Sequence, residues 1–286
     1  MTTRGRTAPL AALAAVLAVT SGCAASAAEV FASAAPTSAL GAATTSVAPT
    51  TGTAAPAEPG ASPSLPAAPL AGRVIVIDPG HNGRYDAAYD AAPVPSGHGT
   101  TKACNTAGTT SADGYPEHAA NWAQALALRA ALEADGATVV LTRLDDDGLG
   151  PCVNERAQVA NDARADLLIS LHADGNPDAG ARGFHVIHST TMEGGAAVEA
   201  ASAVLATRVR DALAGTSMPL STYVGEGTAL SPRTDLATLN LLQATPGVMI
   251  ELGNMRSPQD AAILVSPDFR AGVAAALVRA VRAQLG

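Results

Sequence analysis

Arg73-Val74-Ile75-Val76-Ile77-Asp78-Pro79-Gly80-His81 places four β-branched residues between two charges, then a Pro-Gly turn, then a histidine. A short apolar run bounded in this way fits a strand buried on both faces. Asp166-Leu167-Leu168-Ile169-Ser170-Leu171-His172 repeats the design, and Gly247-Val248-Met249-Ile250-Glu251 does so again with an acid at its end. Helical patterns separate these runs. Residues 117–133 place Ala119, Trp122, Ala123, Leu126 and Ala130 on one predicted face, with Pro116 in the first turn and Gly136 at the end. Further helices are predicted over 154–163, 196–214, 234–242 and from Ser266-Pro267 onward. Residues 138–142 and 183–188 supply two more strands. This alternation implies one α/β domain over 71–286, with a mostly parallel sheet and helices on both faces.

Outward from that domain the chain changes character. Residues 24–70 are nearly all Ala, Pro, Ser, Thr and Gly, with Glu29 and Glu58 the only charges. Such a composition cannot bury enough apolar surface to offset its ordering entropy, so it reads as a disordered linker. As a flexible coil it would reach roughly 35–40 Å. Before it, Arg4 and Arg6 precede an apolar stretch over 8–19 and then Thr20-Ser21-Gly22-Cys23. Residues 1–23 therefore read as a secretory signal with a lipobox-like end, Cys23 being the site of lipidation. An ordinary signal peptide cut near 24–28 is the other reading, because Thr20 stands where a lipobox has Leu or Val. The whole chain of 286 residues has 17 Lys and Arg against 25 Asp and Glu, a net charge of −8. That balance argues against nucleic acid, which requires clustered cations. No apolar run reaches the roughly 20 residues of a membrane span, so membrane contact is expected only through an N-terminal lipid.

The chemistry is predicted at strand ends. His81 follows the first run, His172 the third strand, and Glu251 closes the fifth. In open α/β sheets ligands bind beyond the carboxyl ends of the strands, so these side chains would converge. Glu117, opening the first long helix, can point at the same edge. Two histidines and a carboxylate with an open position suit a catalytic zinc, and a second carboxylate would handle the water. Spacing alone leaves a second reading open, in which the histidines are ordinary loop residues and the glutamates are salt-bridged.

The motifs Val76-Ile77-Asp78-Pro79-Gly80-His81, Val140-Leu141-Thr142-Arg143, Glu155-Arg156 with Ala160-Asn161, Ala165 through Asp174, Gly183-Phe184 and Val248 through Gly253 occur in this order. Together they resemble the amidase-3 family of zinc-dependent N-acetylmuramoyl-L-alanine amidases, and in particular its actinobacterial, mycobacterial-like members. The resemblance implies a twisted six-stranded sheet. It also implies one zinc held by His81, Glu117 and His172, with Glu251 as the catalytic glutamate. Glu117 is chosen over Glu133 and Glu155 because the family places this residue at the start of the first helix. The implied reaction cleaves the amide between N-acetylmuramic acid and the L-alanine of the stem peptide, by a monomeric exported enzyme acting on peptidoglycan or its fragments. Competing classes are a zinc peptidase acting within the stem peptide and a non-catalytic wall-binding lipoprotein.

Two departures from the family stand out. Asn254-Met255-Arg256-Ser257 replaces the usual continuation of the last motif, and 82–116 is an added polar, glycine-rich segment. The segment joins two of the implied ligands and is expected to form a mobile flap. It carries Cys104, whose expected partner is Cys152 once Cys23 is lipidated; two buried free thiols are the alternative. The bridge would contribute on the order of 4 kcal/mol in the chain-entropy model. Asp174 and Asn254 are candidate substrate contacts. His98 and His118 are read as non-ligands, at most one of His185 and His188 faces the site, and Arg143 and Arg156 are read as structural ion-pairing residues.

Overall fold

The computed structural model describes residues 68–286. The signal segment with Cys23 and the linker up to residue 67 lie outside the described residues. In chain order the elements are β1 (Val74–Pro79), α1 (Ala87–Asp90), β2 (Pro93–Gly97), β3 (Thr100–Ala103), α2 (Glu117–Ala134), β4 (Thr138–Leu141), α3 (Val153–Asp162) and β5 (Leu167–Asp174). Then follow β6 (His185–Ser189), α4 (Ala196–Leu213), β7 (Leu230–Arg233), α5 (Ala237–Asn240), β8 (Gly247–Asn254), α6 (Pro258–Leu264) and α7 (Pro267–Leu285).

Six strands form one sheet in the order β4-β1-β5-β8-β6-β7. Every neighbouring pair is parallel except β6 and β8. Alternation along each strand divides the core. Ile75, Ile77, Leu167, Ile169 and Ile250 face one layer, formed by α2, α4 and α7 through Leu128, Leu132, Leu205, Val209 and Leu277. Val76, Leu168 and Met249 face the other, against Ala157 and Ala160 of α3 and Leu239 of α5. Each fully buried Leu or Ile contributes roughly 1.5–3 kcal/mol relative to exposure, so this two-faced burial is what fixes the register.

Several sequence expectations need correction. The first helix buries Glu117, Ala120, Asn121, Gln124, Leu128 and Leu132 rather than the face through Trp122 and Leu126. Leu126 is exposed, and Trp122 lies under the Arg143 guanidinium at 4.9 Å. An alanine-rich helix carries little periodic signal, and here three polar side chains turn inward because they have partners there. Strand β7 is the sixth, implied by the family resemblance but not assigned to any residues from the sequence: Leu230-Ser231-Pro232-Arg233 has no alternation, and proline is tolerated because the strand is an edge. Leu70, placed in the linker by composition, is buried against the core and donates its N–H to Asp135 O at 2.9 Å.

The segment 82–116 is also built differently from the expectation of a structureless flap. It contains α1 and an antiparallel hairpin of β2 and β3. Its anchors are polar. Asp86 caps α1, and the buried Asp90 accepts from Asp86 N at 2.6 Å and Asn105 Nδ2 at 2.8 Å. Asn240 Nδ2 donates to Ser96 O at 3.1 Å, and Tyr89 OH donates to Gly150 O at 3.0 Å. Cys104 and Cys152 are joined in a disulfide.

Candidate active site

The carboxyl ends of β1, β5 and β8 meet at one edge of the sheet, and the start of α2 closes on them. His81 leaves β1 through the turn with φ of 61°, a left-handed conformation uncommon for a residue with a β-carbon. Its backbone carbonyl accepts from Arg156 Nη2 at 2.8 Å. Its Nδ1 lies 2.8 Å from Thr106 O. A carbonyl only accepts, so Nδ1 carries a proton, and in the neutral ring Nε2 offers a lone pair. That Nε2 sits 3.0 Å from Glu117 Oε1.

Glu117 is the first residue of an 18-residue helix, where the positive end of the helix dipole favours a carboxylate. Its Oε2 accepts from Thr109 N at 2.9 Å, and its Oε1 accepts from Ala173 N at 3.1 Å. His172 Nδ1 stands 3.2 Å from the same Oε1. The His172 ring rests on Gly80, where an added β-carbon would come within 2.3 Å of it. Offered ligand atoms of His81, Glu117 and His172 lie within 4.8 Å of one another. Burial raises the Glu117 carboxyl, but hydrogen bonds and charge from His172 and His81 outweigh it and hold the group well below the usual carboxylate range.

Glu251 lies beside His172 in the β5–β8 register, and its Oε2 is buried without a hydrogen-bond partner. Burial, then the charges of Glu117 and Asp174, push its carboxyl well above the ordinary value. Asp174 holds Tyr223 OH at 2.8 Å through Oδ2 and Gly175 N at 2.7 Å through Oδ1. Asp174, Lys102 and the four residues above line a cavity of about 430 Å³.

Behind the cavity is a buried polar brace. Asp78 accepts from Arg156 Nη1, Thr142 Oγ1 and Ser170 Oγ, each at 2.6 Å. Burial raises the Asp78 carboxyl, but the Arg156 charge and the two hydroxyls prevail and bring it down to about 2. Arg143 donates to Pro79 O at 2.9 Å and pairs with Asp146 at 2.7 Å. Both arginines are therefore structural, the ion-pairing role read for them from the sequence.

Other candidates are placed elsewhere. Asn254 is fully buried, donates to Asn176 O at 3.0 Å and Ala181 O at 2.7 Å, and accepts from Arg256 N at 3.0 Å. Its polar atoms are spent on bracing the loop after β5, which corrects its reading as a substrate contact. Glu133 pairs with Arg129 on the surface and Glu155 accepts from Cys152 N, so neither competes with Glu117. His98 is exposed, with Nε2 at Thr191 O, and His118 meets Asp146. His185 lies opposite Glu251 in the antiparallel β6–β8 register and is buried. Burial, partly offset by Asp174, lowers its imidazole to about 4. Sequence reasoning missed Lys102 and the backbone groups of Thr106 and Thr109; backbone donors leave no residue-type signature, and only Gly108 between them hints at a close approach.

The family model for N-acetylmuramoyl-L-alanine amidases matches residues 75–283, all but the outermost residues of the sheet and its helices. The chain belongs to the N-acetylmuramoyl-L-alanine amidases. This amidase is 46% identical over 215 residues to an N-acetylmuramoyl-L-alanine amidase of Mycobacterium tuberculosis, covering 75% of this chain and 87% of the relative. Its fold matches the crystal structure of the N-acetylmuramyl-L-alanine amidase Ami1 of Mycobacterium smegmatis with a TM-score of 0.71 and 44% identity, over 76% of this amidase and 98% of that chain. The apo form of Ami1 from Mycobacterium abscessus matches with the same TM-score at 42% identity, over 76% and 100% of the two chains. The actinobacterial character expected from the inserted segment agrees with these relatives.

Proposed function

We propose that this amidase hydrolyses the bond between N-acetylmuramic acid and L-alanine with zinc held by His81, Glu117 and His172 and with Glu251 as the base. The observation that carries the reading is the convergence of three ligating atoms within 4.8 Å of one another. His81 Nε2 and Glu117 Oε1 are 3.0 Å apart, and His172 Nδ1 adds a third donor 3.2 Å from the same oxygen. Ligating atoms gathered this closely fit a bound cation, and two imidazoles with one carboxylate are donors zinc takes. Bound there, zinc supplies a Lewis acid that acidifies water and polarises a carbonyl.

The chain's own residues supply the rest. Glu251 projects from β8 into the cavity beside His172. Its carboxylate, with Oε2 unclaimed by any protein donor, orients the attacking water and takes its proton. As the carbon–nitrogen bond breaks, the same carboxyl returns that proton to the amine of L-alanine, leaving a free lactyl carboxylate on the glycan. Asp174, steadied by Tyr223, is placed to accept from substrate N–H or O–H groups at the cavity wall.

The reading extends to location. The basic and apolar start, Cys23 and the linker support an exported, tethered enzyme working as a monomer on peptidoglycan, and the disulfide suits an oxidising compartment. Mass spectrometry of digested muropeptides tests the function. The expected products are intact stem peptides with a free L-alanine amine. Cuts between amino acids of the stem would instead assign the site to a peptidase.

A further inference from the structure

We propose that the inserted segment is the outer shell of the zinc site, its strap over Asn105–Thr109 setting metal affinity, with the Cys104–Cys152 disulfide as the pin. The inference rests on the zinc reading above. One orienting bond to each of the first two ligands comes from the backbone of this strap, beside the bond that Ala173 N of β5 makes to Glu117 Oε1. Thr106 O takes the His81 Nδ1 proton at 2.8 Å, which turns Nε2 toward the metal position. Thr109 N donates to Glu117 Oε2 at 2.9 Å, leaving Oε1 as the oxygen that faces both histidines. Between them Gly108 lies at φ +76°, and an added β-carbon would stand 2.9 Å from Glu117 Oε2 and 3.0 Å from the His81 ring. The strap therefore presses on the ligands as closely as a chain can.

Backbone groups carry no positioning of their own, so the strap must be held at its ends. At its start, Cys104 N donates to Ala92 O at 2.8 Å, and Cys104 O accepts from Val153 N at 2.8 Å. The buried Asn105 donates to the buried Asp90 at 2.8 Å. At its end Thr109 O accepts from Glu117 N at 3.0 Å. The disulfide adds a second connection. Cys152 caps α3, whose Arg156 holds the His81 carbonyl and Pro79 O. One covalent bond thus ties together the strap that orients the His81 ring and the helix that grips the His81 backbone. Outer partners of metal ligands typically control affinity by 10–100-fold.

The test is the zinc dissociation constant, measured by chelator competition on the full chain and on two variants. Cys104→Ala/Cys152→Ala removes the pin; Gly108→Ala keeps the disulfide and intrudes on the ligands directly. Both are expected to bind zinc on the order of 10–100-fold more weakly, with the His81 Nδ1–H resonance lost and the circular dichroism spectrum retained. Should the double variant fail to fold, Gly108→Ala decides alone. Dissociation constants within about twofold of the parent, whatever the change in melting temperature, would overturn the proposal and leave the bridge a simple staple. A parent chain that takes up no zinc would overturn the metal reading as well, so the two failures are distinguishable.

Discussion

The sheet and the inserted segment hold opposite sides of one site by different physics. His172 and Glu251 stand in the carboxyl-terminal halves of β5 and β8, positioned by strand register and by apolar side chains buried on both faces. His81 and one oxygen of Glu117 are held by backbone groups of a segment whose anchors, Asp86, Asp90, Ser96 and Asn105, are polar, while Ala173 N of β5 holds the other oxygen of Glu117. Apolar packing spreads its effect over many small contacts, so the sheet side tolerates the loss of any one polar partner. A buried polar anchor is less forgiving, because each group left unpaired costs about 1–3 kcal/mol. On the proposed reading, the difference teaches that rigidity of the base and tuning of the metal are separable properties of this fold.

The largest expected effect comes from the sheet side. Glu251→Gln should lower turnover about 10²–10⁴-fold while leaving zinc content and melting temperature close to the parent's, since the buried Oε2 makes no hydrogen bond to the protein that the substitution would break. Near-normal turnover would take the base away from Glu251 and blur the contrast. Next is the joint between the two regions. Arg156→Met leaves the buried Asp78 carboxylate unpaired, and urea unfolding should show a loss of about 3–5 kcal/mol. The smallest effect is the acid limb. Asp78 has its carboxyl held down at about 2 against an unfolded value of 3.8, so its contribution is present above 3.8 and lost as pH falls through about 2. That contribution is roughly 2 kcal/mol, to be read from urea melts across this window. A flat profile there would mean that the brace behind the cavity is not what acid breaks.

How much of this was legible follows the same division. Strands β1, β5 and β8 announce themselves because apolar runs ending in His81, His172 and Glu251 leave no other economical reading. Edge strand β7 does not, since Leu230-Ser231-Pro232-Arg233 buries little and pairs on one side only. The buried face of α2 was misread because Glu117, Asn121 and Gln124 point inward to specific partners, which apolar periodicity cannot register. The inserted segment looked unstructured for the same reason: its order comes from capped and paired polar groups. Asn254 illustrates the reverse error, in which a polar residue near the site is engaged by backbone carbonyls and not by substrate.

Zinc-edge anomalous diffraction from crystals of the zinc-loaded chain tests the central claim most directly. The account predicts a single strong peak bounded by His81 Nε2, Glu117 Oε1 and His172 Nδ1, with Thr106 and Thr109 still bonded to the first two. A peak elsewhere, or none at this cluster, would contradict it.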